Sequence, residues 1–155
     1  MQSTFKHNAS GNGLNAVYDI WFSDHLPNGQ RYDDAISGFI MLWLHDPGDA
    51  QPIGNPGPTV TLAGKSWVVW TGPRGDTGAM CEGTRCAASR PVVSYVATAT
   101  TGSFTGNLKE FFTDAAGRGI PATWYLTDVF AGFECWQGSA CVGKSVQEFT
   151  AVVAP

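Results

Sequence analysis

The sequence predicts an all-β chain, an antiparallel sandwich or barrel that carries one short helix. Six segments rich in β-branched and aromatic residues read as strands, and Gly, Pro and Asn clusters separate them. A single segment repeats its apolar residues at helical spacing. Charged residues are only 14% of the 155, and aromatics reach 12%, so the chain has the material for a sizeable core and not the composition of a disordered one.

Taken in order, Asn15–Phe22 (NAVYDIWF) alternates, with Val17, Asp19 and Trp21 on one face and Ala16, Tyr18, Ile20 and Phe22 on the other. A turn region, Ser23–Ala35, follows and contains Asn28-Gly29. Phe39–Leu44 (FIMLWL) places Phe39, Met41 and Trp43 on one face. Ser66–Thr71, Val92–Ala99, Trp124–Glu134 and Ser145–Val153 are the other strands. Within Asn107–Gly119, Leu108, Phe111, Phe112 and Ala115 fall at i, i+3, i+4 and i+7. Asn107 with Glu110 reads as a capping box there, and Gly117 or Gly119 as the stop. No internal repeat or linker divides the chain. Residues 1–12 read as a disordered or linker-like arm before one domain, 13–155.

Nine basic and thirteen acidic side chains leave a net charge of −4 with no basic stripe, which argues against nucleic acid as a partner. No apolar run approaches the ~18 residues of a membrane span. Met1–Ser10 has neither a positive n-region nor an apolar h-region, so it reads as no signal peptide, and cytoplasmic retention would follow. Four cysteines point the other way, toward an oxidising compartment. They form two tight pairs, Cys81-x4-Cys86 and Cys135-x5-Cys141, each in a Gly-containing, turn-like stretch. Local pairing is the simplest of three connectivities, and each ring would constrain the unfolded chain by roughly 2 kcal/mol. Zinc ligation is the alternative, although neither spacing is the short C-x2-C knuckle. Signal and cysteines agree if the chain is the later part of a longer secreted protein.

His7, His25 and His45 lie in the arm or beside turn residues, with no metal-ligand neighbour at helical spacing, so no metal site is expected. Serine-nucleophile and phosphate-loop motifs are absent. Asp33, Asp34 and Asp46 sit in turn-rich loops and read as solvated. Asp19 and Glu134 differ, because they interrupt apolar strands. A carboxylate buried in such a strand must be paired, face a wet cleft or carry a raised pKa. Both are therefore acid–base candidates, against the alternative of an exposed strand face. The six Trp are spread along the chain, as in a cleft whose flat apolar surfaces meet sugar rings, or as in a large sandwich core.

NAVYDIWF, an xIMLWL strand, QPIG, a TV-x-x-x-G-x-SW-x-VW segment, SYVA and GFE-x-W follow one another in this order. The succession resembles glycoside hydrolase family 12, the endo-β-1,4-glucanases and xyloglucanases, from about Gly13 to Val153. The resemblance implies a jelly-roll β-sandwich with a concave substrate cleft and one helix on the convex side. It also implies secretion, and retaining hydrolysis of internal β-1,4-glucosidic bonds in cellulose or related β-glucans without a cofactor. Glu134 matches the family's acid/base, and Asp19 the helper carboxylate that hydrogen-bonds the nucleophile. Trp21, Met41, Trp43 and Trp136 match sugar-binding positions.

Two departures follow from the same resemblance. The family's nucleophilic Glu stands directly before the IMLWL-type core, and here that position is Phe39, preceded by Gly38. Asp33 shares its parity but lies about 20 Å away along a strand at ~3.3 Å per residue, and Asp34 would need a bulge. Family members are also longer, with strands before NAVYDIWF that this chain is expected to lack. Bare sheet edges would then invite pairing with a second chain supplying those strands. Three functions are compatible with this pattern: a β-1,4-glucanase with weak or rerouted chemistry, a catalytically dead glucan-binding module, or a fragment of a disrupted gene that needs a partner chain.

Overall fold

The computed structural model describes residues 1–26, 37–46, 48–74, 81–82, 85–86 and 90–153, with backbone alone at 81–82 and 85–86. Its strands are β1 (Gln2–His7), β2 (Leu14–Ser23), β3 (Gly38–His45), β4 (Asn55–Leu62), β5 (Lys65–Arg74), β6 (Cys81–Glu82), β7 (Arg85–Cys86), β8 (Arg90–Ala97), β9 (Ser103–Asn107), β10 (Tyr125–Cys135) and β11 (Val146–Val152). One helix, α1 (Lys109–Ala116), lies between β9 and β10. The strands form a six-stranded sheet in the order β10-β2-β3-β8-β5-β4 and a three-stranded sheet in the order β11-β1-β9, with β6-β7 as a separate hairpin. The β3–β8 pair is parallel in an otherwise antiparallel arrangement. The result is the expected β-sandwich, with a single helix among the described residues.

Strict alternation along β2 and β3 sorts their side chains between two environments. Ala16, Tyr18, Ile20, Phe22, Ile40, Leu42 and Leu44 point into the core between the sheets. Val17, Trp21, Phe39, Met41 and Trp43 gather on the opposite face with Val92 and Val96 from β8. Between the sheets, Phe111 of α1 packs edge-on against Trp67, Tyr95 and Phe104, with ring centroids 5.1, 5.1 and 6.0 Å away. Tyr95 also donates its hydroxyl to the Asp114 carboxylate at 2.8 Å, which ties the helix to the sheet through a polar contact. The helix therefore sits on the core side, away from the second cluster.

Several elements differ from expectation. The predicted N-terminal arm contains a strand, for β1 lies between β11 and β9 at the centre of the three-stranded sheet. Ser3, Phe5 and His7 face inward and are buried, so the strand alternates, but with only one apolar residue its pattern is too polar to recognise. Strand β4 contains Pro56 and Pro58 and is tolerated because it is the sheet edge. The capping box does not form. Leu108 is the N-cap, Asn107 Oδ1 accepts from the Lys109 amide, and Glu110 instead accepts the Ala63 amide at 2.7 Å. Cys135 and Cys141 are disulfide-bonded, which excludes zinc ligation for that pair. Cys81 and Cys86 face each other in register on β6 and β7, but their side chains lie outside the described residues. His7 and His45 are both buried, with His7 Nδ1 accepting from the Ala9 amide and His45 Nε2 donating to the Gly11 carbonyl.

Because Phe111 joins three aromatic partners, Phe111→Ala is expected to cost about 3–5 kcal/mol of unfolding free energy in urea denaturation. A cost below about 1 kcal/mol would show that the helix is not part of the cooperative core.

Candidate active site

The second cluster forms the floor of an open cleft of about 350 Å³. Cross-strand register builds it in rows. Asp19 of β2 stands opposite Met41 of β3, which neighbours Ser94 of β8. In the next row Trp21 faces Phe39, which neighbours Val92, and in the row on the other side Val17 faces Trp43, which neighbours Val96. Strand β10 adds Glu134 opposite Asn15, and Asn15 shares the parity of Val17, Asp19 and Trp21. Phe39, Met41, Trp43, Glu134 and Trp136 line the cleft together with Arg74.

One rim is held by the loop that carries Gln51, Pro52 and Ile53, all of which line the cleft. Gly54 ends it at φ +91° with its backbone against that of Thr71 and Gly72, so a Cβ at either glycine would run into main-chain atoms. The QPIG sequence thus brings an apolar wall against β5. On the opposite side Trp136 stands 51% exposed, with its ring tilted 34° from that of the buried Trp43 at a centroid distance of 6.5 Å. An exposed indole beside a buried one gives a flat apolar platform at the mouth of the cleft.

Asn15 holds Glu134 from two sides. Its Nδ2 donates to Glu134 Oε2 at 2.6 Å, and its Oδ1 accepts the Glu134 amide at 3.1 Å. Asn15 is itself fully buried, so the carboxyl it orients is fixed relative to the sheet. Burial raises the Glu134 pKa above the ordinary value, against the Asn15 hydrogen bond and the positive charge of Arg74. Asp19 is raised to about 7, first by burial and then by the charge of Glu134, with Arg74 opposing. The two carboxyls therefore share one electrostatic environment and both hold protons more tightly than free carboxyls do.

On this face Asp19 Oδ1, Trp43 Nε1 and Ser94 Oγ are buried without a hydrogen-bond partner among the described residues. Buried polar groups are normally satisfied, so their grouping here sets this face apart from the apolar core.

Of the residues singled out in the sequence, Glu134, Met41, Trp43 and Trp136 come together in the cleft, and Phe39 lies on its floor. Trp21 stacks on Phe39 at 4.4 Å and supports that ring from the neighbouring strand. Asp19 shares the face, diagonal to Phe39 across the strand pair, where side chains about 7–8 Å apart by Cα can still meet. Asp33 and Asp34 lie outside the described residues. Asn15 and Arg74 were missed. Asn15 offered one signal, a polar side chain on the parity of Asp19, whereas Arg74 follows two residues of Gly and Pro and carried none.

The site thus joins two carboxyls of raised pKa to a tryptophan-lined cleft on one face of a β-sandwich. The glycosyl hydrolase family 12 model matches residues 2–154, and the chain belongs to that family. A xyloglucan-specific endo-beta-1,4-glucanase A of Aspergillus aculeatus is 34% identical over 143 residues, covering 88% of this chain and 52% of the relative. A probable enzyme of the same name from Aspergillus fumigatus is 34% identical over 160 residues, covering 99% and 59%. Among solved structures, an endo-1,4-beta-glucanase (cellulase) is 31% identical with a TM-score of 0.80, covering 99% of this chain and 62% of its own. An endoglucanase from Rhodothermus marinus is 32% identical with a TM-score of 0.74, covering 96% and 59%. The chain spans between 52% and 62% of the length of these relatives.

The sign of the Asp19 shift sets a stability test. Its pKa rises from 3.8 to about 7 on folding, so the folded state binds the proton more tightly than the unfolded chain. Stability is then fully present below about pH 4 and is lost as pH rises through 7. Asp19→Asn removes that loss. The variant is expected to match the parent near pH 4 and to exceed it at pH 8 by on the order of 3 kcal/mol in urea denaturation. Equal pH profiles for the two proteins would show that Asp19 is solvated.

Proposed function

We propose that this chain acts on a β-1,4-linked glucan, cellulose or a related β-glucan, laid along the cleft on Trp136, Trp43 and Met41. The observation that carries this reading is Glu134, a carboxyl with raised pKa fixed by Asn15 beside an exposed Trp platform. Such a group holds its proton more tightly than a free carboxyl does and can deliver it to a glycosidic oxygen. The relatives carry names of endo-β-1,4-glucanases, which supports the same bond type here. The Cys135–Cys141 disulfide suits an oxidising compartment, as secretion would provide.

Retaining hydrolysis needs a second carboxyl about 5–5.5 Å from the acid, placed to attack the anomeric carbon. By the family resemblance, position 39 is where that group belongs, and Phe39 has no lone pair to offer. Asp19 shares the face, but it stands beside Met41 and is raised to about 7, which makes it a weaker nucleophile than an ionised carboxylate and, when protonated, a hydrogen-bond donor to a neighbouring carboxylate. Phe39 thus favours a second reading, in which the cleft holds glucan with little or no turnover.

Reducing-sugar release from soluble mixed-linkage β-glucan separates the readings. The Phe39→Glu variant is expected to outpace the parent by at least about a thousandfold, with Glu134→Gln abolishing that gain. A small Glu134-dependent rate in the parent supports slowed hydrolysis, and none, with glucan still retarding the chain in affinity electrophoresis, supports binding alone. A parent as fast as Phe39→Glu would refute the assignment of position 39, and failure of every variant to bind glucan would refute the cleft.

A further inference from the structure

Trp136, the exposed indole at the mouth of the cleft, stands on a loop whose anchors reach back to the facing rim. Cys135 and Cys141 close residues 135–141 into a covalent ring, which limits the shapes that loop can take. The base of the ring is seated on Gly13, whose carbonyl accepts the amides of Trp136 at 2.7 Å and Gln137 at 3.0 Å. Gly13 lies at φ +79°, and a Cβ there would come within 2.8 Å of the Gln137 Cβ, so the close approach requires glycine. A further anchor comes from across the cleft. Asp49 Oδ1 accepts the Gly13 amide at 3.1 Å, and Asp49 Oδ2 accepts from the side-chain Nε2 of Gln137 at 2.5 Å. Asp49 lies two residues before Gln51, which with Pro52 and Ile53 forms the facing rim. One carboxylate thus binds both the seat and the ring, and joins the two rims.

We propose that Asp49 is a positioning residue for glucan binding: through Gly13 and Gln137 it fixes the Trp136 indole where a sugar ring can stack on it. This rests on the reading of the cleft as a β-glucan site, and it names a residue outside the cleft lining that sets the affinity. Trp136 is half exposed and meets the buried Trp43 ring at 6.5 Å, so its own packing leaves its position dependent on its loop. A platform that must be ordered when the ligand arrives binds more weakly than one already held in place. The same contact sets the width between the indole and the wall of residues 51–53.

Isothermal titration calorimetry with cellohexaose tests this. Asp49→Ala removes the acceptor, and Gln137→Glu sets carboxylate against carboxylate; each is expected to weaken binding about tenfold. Combining Asp49→Asn with Gln137→Glu reverses donor and acceptor across the same pair, with an amide oxygen still available to Gly13. That double variant should return to within about twofold of the parent. Trp136→Ala should weaken binding by itself, and adding Asp49→Ala to it should cost nothing further, because no indole is left to position. A cooperative melt of each variant confirms that it is folded, and if Asp49→Ala fails to fold, Gln137→Glu and its rescue decide the matter. Unchanged affinity in Asp49→Ala and Gln137→Glu, no rescue in the double variant, or an equal loss with and without Trp136 overturns the positioning role while leaving the glucan cleft intact. Trp136→Ala binding as tightly as the parent overturns the platform on which that role rests. A parent that does not bind cellohexaose overturns both the role and the cleft.

Discussion

The pairing of β2 with β3 is the contact on which both the core and the cleft depend. In this register Ile20 meets Ile40 and Tyr18 meets Leu42 on one side, while Asp19 meets Met41 and Trp21 meets Phe39 on the other. A slip by one residue would turn Asp19 into the core and Ile40 into the cleft, at the cost of a buried charge and exposed apolar surface together. Burial on both faces of β3, whose eight residues are all buried, makes such a slip prohibitive. The same sequence feature that holds the sandwich together thus sets the order of side chains along the cleft floor.

Desolvation then decides the chemistry available to that floor. Packing between Trp21, Phe39, Met41 and Trp43 keeps water from Asp19 and raises it to about 7, and the same surroundings raise Glu134. An acid of this kind favours proton donation over nucleophilic attack. On the proposed reading, a carboxylate at position 39 would be the member of the set that stays ionised, with Asp19 donating to it. The phenyl ring there stacks on Trp21 and under Arg74 instead, which trades reactivity for packing.

Much of this was legible from spacing alone. Period-2 alternation in NAVYDIWF and FIMLWL sorts their residues onto the two faces that the structure shows, while only the family resemblance says which face is the cleft. The helix was legible from Leu108, Phe111 and Ala115, all buried, although its cap was not, since Glu110 was drawn to the Ala63 amide on a distant loop. Strand β1 escaped notice because Ser3 and His7 occupy its inward positions, where Ser3 bonds the Tyr18 hydroxyl and His7 the Ala9 amide. Asn15 and Arg74 were hidden for a similar reason. Their roles arise from partners 119 residues and 35 residues away, contacts that only the register of β10 and the stacking on Phe39 create.

The identity of the group at position 39 is tested most directly by trapping a glycosyl–enzyme. The chain is incubated with an activated 2-deoxy-2-fluoro-β-cellobioside, which forms a long-lived ester with a retaining nucleophile, and its intact mass is measured. The expected result is an unmodified parent, with one fluorocellobiosyl adduct on Phe39→Glu that maps to residue 39. An adduct on the parent, at Asp19 or at any other carboxylate, would contradict the account, because the cleft would then hold a working nucleophile that Phe39 does not replace.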